Sequence, residues 1–337
     1  MRTAIVVFDE AQILDIAGPM EVLRGASLAV RDKTAATAPA YETRIVAHDK
    51  GAVRTSCGLV ILATDSFDSA RQDIDTLIVA GGVMDSALKD KRLLKFVRDT
   101  APQARRVVAI GTGTFVLATA GLLDGRRATT HWRACEHLAS HFPAIRVERD
   151  HVFVKDDKFQ TSAGASAALD QSLALVQEDF GKDIAMAVAH RKVMFMRRSG
   201  GEKQVSTHLA AQMIGHEGLA TLAAWILANT SKEITTEMLA ERGAMSSRTI
   251  ARLFAKELGM TPARFIERAR VEAARRFLEE SDLRIDAIAR RTGLGSEERL
   301  RRAFRRSLGM TPREYHDRYH EAAGLAENWP LLLEAKG

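Results

Sequence analysis

Cysteine is nearly absent. The 337 residues hold only two, Cys57 and Cys135, far apart and in no CxxC or Cys/His spacing. That argues against a disulfide scaffold and a structural zinc, and makes the cytoplasm the expected compartment. Long apolar runs are also missing, so no segment reads as a membrane span. The apolar opening, residues 1–8, is too short for a secretory signal and reads as a first β-strand. Hydrophobic residues make up 46% and charged residues 27%, which rules out a disordered chain and leaves room for two or three domains.

The formal net charge of +6 permits a nucleic-acid partner without establishing one. Its distribution says more. From Arg284 to Arg306 eight arginines stand against three acids, while the rest of the chain is nearly balanced.

That basic stretch is half of a repeat. Leu258-Gly259-Met260-Thr261-Pro262 recurs fifty residues later as Leu308-Gly309-Met310-Thr311-Pro312, and Ile250, Arg252 and Phe254 recur as Leu300, Arg302 and Phe304. Upstream the offset is 49, with Leu239-Ala240 matching Ile288-Ala289, so the second turn holds one extra residue near Gly295. Each copy, about 235–258 and 285–308, reads as helix, tight turn, helix. Ser246 and Ser296 are placed as N-caps, and Gly293 supplies the left-handed residue of a sharp turn. Ile250, Leu253, Phe254 and Leu258 in the first copy, and Leu300, Ala303, Phe304 and Leu308 in the second, form inward stripes at helical spacing. The outer faces carry Ser247, Arg248, Thr249, Arg252 and Lys256, then Glu297, Arg299, Arg301, Arg302, Arg305 and Arg306. A buried stripe backed by a basic face with polar residues at its start is what a recognition helix in the major groove requires. The expected DNA contacts are Ser247, Arg248, Thr249, Arg252, Ser296, Glu297, Arg299 and Arg302. Thr261-Pro262 starts a connecting helix whose apolar stripe is expected at Phe265, Ala269, Ala273 and Phe277.

The segments LAERGAMSSRTIARLFAKELGMTPARFIERARVEAARRFLE and IDAIARRTGLGSEERLRRAFRRSLGMTPREYHDRY resemble the AraC/XylS family of transcription regulators over residues 219–319. Leu294 and His316 stand where that family has an aromatic and an arginine. Ala244 stands in the first turn where glycine is commoner, with Gly243 one place earlier.

The first two thirds alternate short apolar runs with helical stretches. Residues 3–8, 43–47, 76–80, 106–110 and 159–162 read as buried strands, several ending in glycine. That pattern predicts a doubly wound, flavodoxin-like α/β domain with its ligand at the strand C-terminal ends. Gly111-Thr112-Gly113 is not a dinucleotide fingerprint, because Val116 takes the third glycine position. His137 and His141 share a helix face without a further ligand, so neither a metal nor a cofactor is expected.

LDIAGPMEVL (14–23), LIVAGG (77–82), AIGTGTFVLATAGLLDGRRATTHW (109–132) and TSAGASAALDQSLALV (161–176) resemble the class I glutamine amidotransferase-like superfamily, in its PfpI-like branch found fused to AraC-type domains. Enzymes of that fold present a nucleophilic cysteine on a strand-to-helix turn, helped by an acid and often a histidine. The resemblance assigns Asp15 to the acid, His131 to the histidine and Gly81-Gly82 to a backbone-donor turn. The nucleophile position is Gly111, which has no side chain to attack with, so no enzyme activity is expected. What the resemblance then implies is a sensor binding a small metabolite, by analogy nitrogen-containing, through Asp15, Gly81, Gly82, Gly111, Thr112 and His131. Asp15 and His131 acting only as loop cross-links is the alternative.

The expected organisation is a sensing and dimerising α/β domain at 1–196, a linker at 197–217, an all-α DNA-binding domain at 218–320 and a tail at 321–337. Double-stranded DNA, a small-molecule effector, a second copy of the chain and the transcription machinery are the expected partners, with the protein at the nucleoid when bound to DNA. A DNA-tethered hydrolase or amidotransferase, and an architectural DNA binder whose first domain only dimerises, are the competing readings.

Overall fold

The computed structural model describes residues 1–34, 37–70, 73–149, 151–194, 198, 200–201, 204–281 and 283–317. The expected tail at 321–337 lies outside the described residues, as do residues 197, 199, 202 and 203 of the expected linker. The chain divides into two compact units, the first running from Met1 to Gln204 and the second beginning at Val205.

In chain order the strands of the first unit are β1 (Arg2–Val6), β2 (Glu42–Ala47), β3 (Gly51–Arg54), β4 (Val60–Ala63), β5 (Asp65–Ser66), β6 (Thr76–Val79), β7 (Arg106–Ile110), β8 (Arg127–Ala128), β9 (Arg146–Val147), β10 (Phe153–Asp156) and β11 (Phe159–Ser162). Its helices are α1 (Ile13–Thr34), α2 (Met84–Ala87), α3 (Lys91–Thr100), α4 (Thr114–Thr119), α5 (Cys135–His141) and α6 (Ser166–Arg191). The main sheet runs β10-β11-β7-β6-β1-β2-β5, parallel throughout except for the β10–β11 pair. Strands β6 and β7 are buried along their whole length because helices cover both faces, which is why their sequences read as unbroken apolar runs.

The expected flavodoxin-like order is present: with the two-residue edge strand β5 set aside, β2, β1, β6, β7 and β11 lie side by side as the second, first, third, fourth and fifth parallel strands. The chain reverses its winding at β1, and in such sheets the crevice beyond the strand C-terminal ends takes the ligand. The opposite ends of the strands are closed by charge. Arg106, at the start of β7, pairs with Asp179 of α6, both nearly fully buried, and the Tyr41 hydroxyl donates to the same carboxylate at 2.6 Å. Burial pushes the Asp179 carboxyl up, but Arg106, Tyr41 and Arg105 outweigh it and hold the group below the usual carboxylate range.

The sequence places a helix end near Phe180. In the structure the helix breaks there at Gly181 (φ +82°) and resumes, so α6 continues to Arg191.

The second unit is helical: α7 (Thr207–Gln212), α8 (Glu217–Ala228), α9 (Thr236–Arg242), α10 (Ser247–Leu258), α11 (Pro262–Glu280), α12 (Ile285–Arg291) and α13 (Glu297–Leu308). Helix α7 lies inside the stretch expected as linker. Its Thr207 N–H and hydroxyl both donate to Glu272 of α11, which ties it to the helical unit.

Helix α11 is shared by two cores. Phe265, Ile266 and Ala269 pack with Leu219, Ile226 and Phe254, while Val271, Ala274 and Leu278 pack with Ile288, Leu300 and Phe304. Of the stripe expected at Phe265, Ala269, Ala273 and Phe277, the first two lie in the first core, Phe277 packs against the second, and Ala273 belongs to neither. Ala273 and Phe277 are half-buried, because the buried face shifts where the helix passes from one core to the next.

Candidate ligand site and nucleic-acid interface

The sequence-derived residues of the first unit converge at the C-terminal ends of β6, β7 and β11. Asp15, in the first turn of α1, is buried at 2% exposure. Its Oδ2 accepts from the Gly81 N–H at 3.1 Å and its Oδ1 from the Ala165 N–H at 2.7 Å. One carboxylate thus joins three crossings of the sheet edge. Burial raises its pKa to about 6 against the pull of those two N–H bonds.

The surrounding glycines are dictated by space. A Cβ on Gly81 would fall 2.7 Å from Asp15 Oδ2 and 2.7 Å from the Ile110 carbonyl oxygen. A Cβ on Gly164 would fall 2.9 Å from the Gly111 Cα. Gly111 itself takes φ +54°, the left-handed conformation of a sharp strand-to-helix elbow. The elbow is formed, with no side chain on it.

The Gly81-Gly82 turn departs from expectation. The resemblance makes its two N–H groups donors to a ligand, but the first is held by Asp15 and the second donates to Thr112 Oγ1 at 2.8 Å. Thr112 Oγ1 in turn donates to the Gly82 carbonyl at 2.8 Å. Both glycines therefore build the wall of the site. Among the described residues no hydrogen bond joins His131 to Asp15 or Gly111. His131 is half-buried, accepts weakly from the Arg133 N–H at 3.4 Å and lies against Trp132. Burial, and then the Arg133 charge, lower its pKa.

Sequence reasoning missed Thr130, Ala165 and Gln204. The Thr130 hydroxyl donates to the Gly111 carbonyl at 2.8 Å. The Gln204 amide donates to the Thr130 carbonyl at 2.8 Å and to the His151 carbonyl at 3.0 Å. Ala165 (φ +48°) is strained in order to aim its N–H at Asp15. No residue type in these positions signals such long-range bonds. Cys57 is exposed, and Cys135 is buried with its thiol toward the Thr130 carbonyl. His137 and His141 lie together on α5 with ring centroids 3.9 Å apart.

A pH effect follows from Asp15. The folded unit binds a proton at about pH 6, whereas an unfolded aspartate does so near 3.8. Stability from this group is therefore full below the lower value and declines as pH rises through about 6, by about 3 kcal/mol in all. Calorimetric melts at pH 5 and 7.5 are expected to show a larger loss in the native chain than in Asp15→Asn. Parallel pH profiles would contradict this.

In the second unit both predicted N-caps are in place. Ser246 Oγ accepts from the Thr249 N–H at 3.1 Å and Ser296 Oγ from the Arg299 N–H at 3.3 Å. Helices α10 and α13 end alike, at Gly259 (φ +64°) and Gly309 (φ +70°), and Thr261 and Thr311 cap the helices that follow. This is the physical content of the repeated LGMTP. Arg248, Arg252, Glu297, Arg299 and Arg302 are exposed, as are Arg301 and Arg305, while Ser247 and Thr249 are half-buried. Ser296 is exposed, with its hydroxyl engaged as the cap. Arg302 meets Glu298 at 3.4 Å in an exposed pair too weak to withhold it from a phosphate or base.

The first turn keeps the left-handed position at Ala244 (φ +49°), where the second has Gly293 (φ +74°). Gly243 serves a different purpose, since a Cβ there would lie 2.9 Å from Leu222 Cδ1. Ala244→Gly is expected to stabilise the second unit by about 0.5–1 kcal/mol, relief of strain exceeding the added chain entropy. A urea midpoint that falls instead of rising would show that Ala244 is unstrained.

Fold and sites together define a class of protein: a flavodoxin-like domain with a bare glycine elbow, followed by a tandem helix-turn-helix domain. Residues 1–178 match the DJ-1/PfpI family and residues 239–318 match the Helix-turn-helix domain. The chain belongs to the DJ-1/PfpI family, and carries a helix-turn-helix domain after it. It is similar to the HTH-type transcriptional regulator CdhR of Pseudomonas aeruginosa, 28% identical over 256 residues that cover 76% of this chain and 76% of that protein. It is also similar to isonitrile hydratase of Pseudomonas putida, 35% identical over 189 residues, 56% of this chain and 76% of that enzyme. A ThiJ/PfpI family protein from Pseudomonas syringae shares the fold with TM-score 0.52 at 24% identity, over 72% of this chain and 89% of that one. Among the described residues no helix is long and apolar enough to cross a membrane.

Proposed function

We propose that the protein is a sequence-specific DNA-binding transcription regulator whose DJ-1/PfpI domain senses a small metabolite. The observation that carries the output is the pair of N-capped helices α10 and α13, each with its apolar side in a core and its arginines exposed. Regulators such as CdhR, similar along most of the chain, support it. The protein acts in the cytoplasm as a homodimer on DNA and passes its signal to the transcription machinery.

The input is the elbow. Gly111 offers no nucleophile, so a ligand there is bound and released unchanged. Asp15, half neutral near pH 6, and His131 are the polar groups for it, with Thr112 held in the wall by its bonds to Gly82, and a small nitrogen-containing metabolite suits a carboxyl that can either donate or accept. Its signal has a path. Thr130 bonds the Gly111 carbonyl and Gln204 bonds Thr130, and Gln204 is the last residue of the first unit, two before the cap of α7. A ligand that displaces Gly111 acts on the hydrogen bonds of Thr130 and Gln204, and its differential affinity for the two states sets the response.

The test is a thermal-shift screen of the full chain against nitrogen-containing metabolites. A ligand at a hundred times its Kd adds about 2.7 kcal/mol to the unit that binds it. The same ligand is expected to change DNA affinity, and Gln204→Ala to abolish that change while leaving the thermal shift. A ligand that stabilises without altering DNA binding would defeat the sensor reading. In that event the raised pKa of Asp15 and the similarity to isonitrile hydratase point to a catalytic reading instead. Turnover of an isonitrile by the full chain, lost in Asp15→Ala, would establish that reading.

A further inference from the structure

Two helical bundles share α11, and the azimuth of each about that axis is set by how it seats on its own buried stripe. Each grips α11 by a single apolar stripe, Phe265, Ile266 and Ala269 for the first bundle and Val271, Ala274 and Leu278 for the second. A roll of α13 relative to α10 would carry one of them around the duplex, so a contact placed off that axis, joining the two bundles, stiffens their phase.

That contact exists at the residue between the two stripes. Arg270 donates through Nε to the Thr230 carbonyl at 3.0 Å and through Nη2 to the Lys232 carbonyl at 2.7 Å. Both carbonyls belong to the loop between α8 and α9, part of the first bundle. On the other side stands Gly293, in the turn between α12 and α13. A Cβ on Gly293 would lie 2.2 Å from the same Thr230 oxygen and 2.8 Å from Arg270 Nε. The first loop, the connector and the second turn therefore meet at one guanidinium, whose two N–H groups fit two carbonyls at once. Between α11 and α13, beside their shared core, the pair Glu267–Arg306 is 2.6 Å long but exposed, and so of little strength.

We infer that Arg270 is a positioning residue that locks the phase between the two recognition helices, so that the protein selects DNA by the spacing of its two boxes as well as by their bases. This rests on the reading that α10 and α13 both enter the major groove. It assigns Arg270 no contact with DNA.

The experiment measures affinity of the full chain for a two-box site, for the same site with half a helical turn inserted between the boxes, and for a single box. In the native chain the insertion is expected to cost about 100-fold or more, because both helices can no longer engage at once. In Arg270→Ala the affinity for the uninterrupted site falls about tenfold, the insertion penalty shrinks below about tenfold, and single-box affinity is unchanged. A general loss of fold would lower single-box binding as well, and in that event Arg270→Lys decides. Lysine reaches one carbonyl, so an intermediate penalty supports the lock and a native penalty overturns it. A native penalty in Arg270→Ala with single-box binding intact also overturns the proposal. Absence of a penalty in the native chain overturns the two-helix reading, and the proposal with it.

Discussion

Replacing Gly81 by alanine is expected to destabilise the first unit by about 3–5 kcal/mol, since overpacking and a broken buried hydrogen bond combine. The backbone at Gly81 does not need a left-handed conformation. What forbids a side chain is space: the new Cβ would meet Asp15 Oδ2 and the Ile110 carbonyl at 2.7 Å and the Thr112 nitrogen at 2.9 Å. Two of these atoms are backbone of the elbow and the third is a buried carboxylate held by two N–H groups, so none is a flexible end that can swing away. Relief requires either a shift of β7 or loss of the Asp15–Gly81 bond, and both open the candidate site. Gly201→Ala, with nothing within 4 Å of its Cβ, is the matched control and is expected to be nearly neutral. Denaturant unfolding of both variants tests this. A Gly81→Ala midpoint equal to that of the native chain would mean the elbow is loosely packed, and the description of the site would fail.

The second large effect concerns DNA. Arg252→Ala and Arg302→Ala each remove an exposed guanidinium at equivalent positions of the two recognition helices. If each reads a base, each costs about 1–3 kcal/mol on the cognate site. Lying on separate helices with no shared partner among the described residues, the two losses are expected to add, for a combined loss of about 30-fold to 20,000-fold. Neither side chain belongs to a core, so melting temperatures should hardly move. Binding to random DNA separates the roles. A loss confined to the cognate sequence identifies base contacts, whereas a uniform loss with a salt slope reduced by about one per arginine identifies phosphate contacts. Unaltered affinity in the double variant would remove α10 and α13 from the interface.

The sequence was most legible where structure is local. A strand ending in glycine, a serine three residues before the N–H it caps, and a repeated helix stop followed by a helix start are each written in neighbouring residues. Hence β6, β7, Ser246, Ser296 and the LGMTP turns were readable. The β3–β4 hairpin was not, since its Val60 and Leu62 are exposed and break the alternation that marks a half-buried strand. Nor was the stripe of α11, which turns from one face to another because two cores share the helix. Asp15 could be placed by resemblance, but its partners could not. Gly81 and Ala165 lie 66 and 150 residues away, and only the closed fold shows that the Gly81-Gly82 donors are already engaged. Gln204 and Arg270 act through backbone carbonyls, which every residue carries, so no pattern of residue types announces them.

The central claim is that both helix-turn-helix units read DNA at once. Hydroxyl-radical footprinting of the full chain on a site selected from random duplexes tests it most directly. The account predicts two protected boxes on one face of the duplex, about one helical turn or ~34 Å apart. A single protected box, or selection that enriches no sequence, would contradict it.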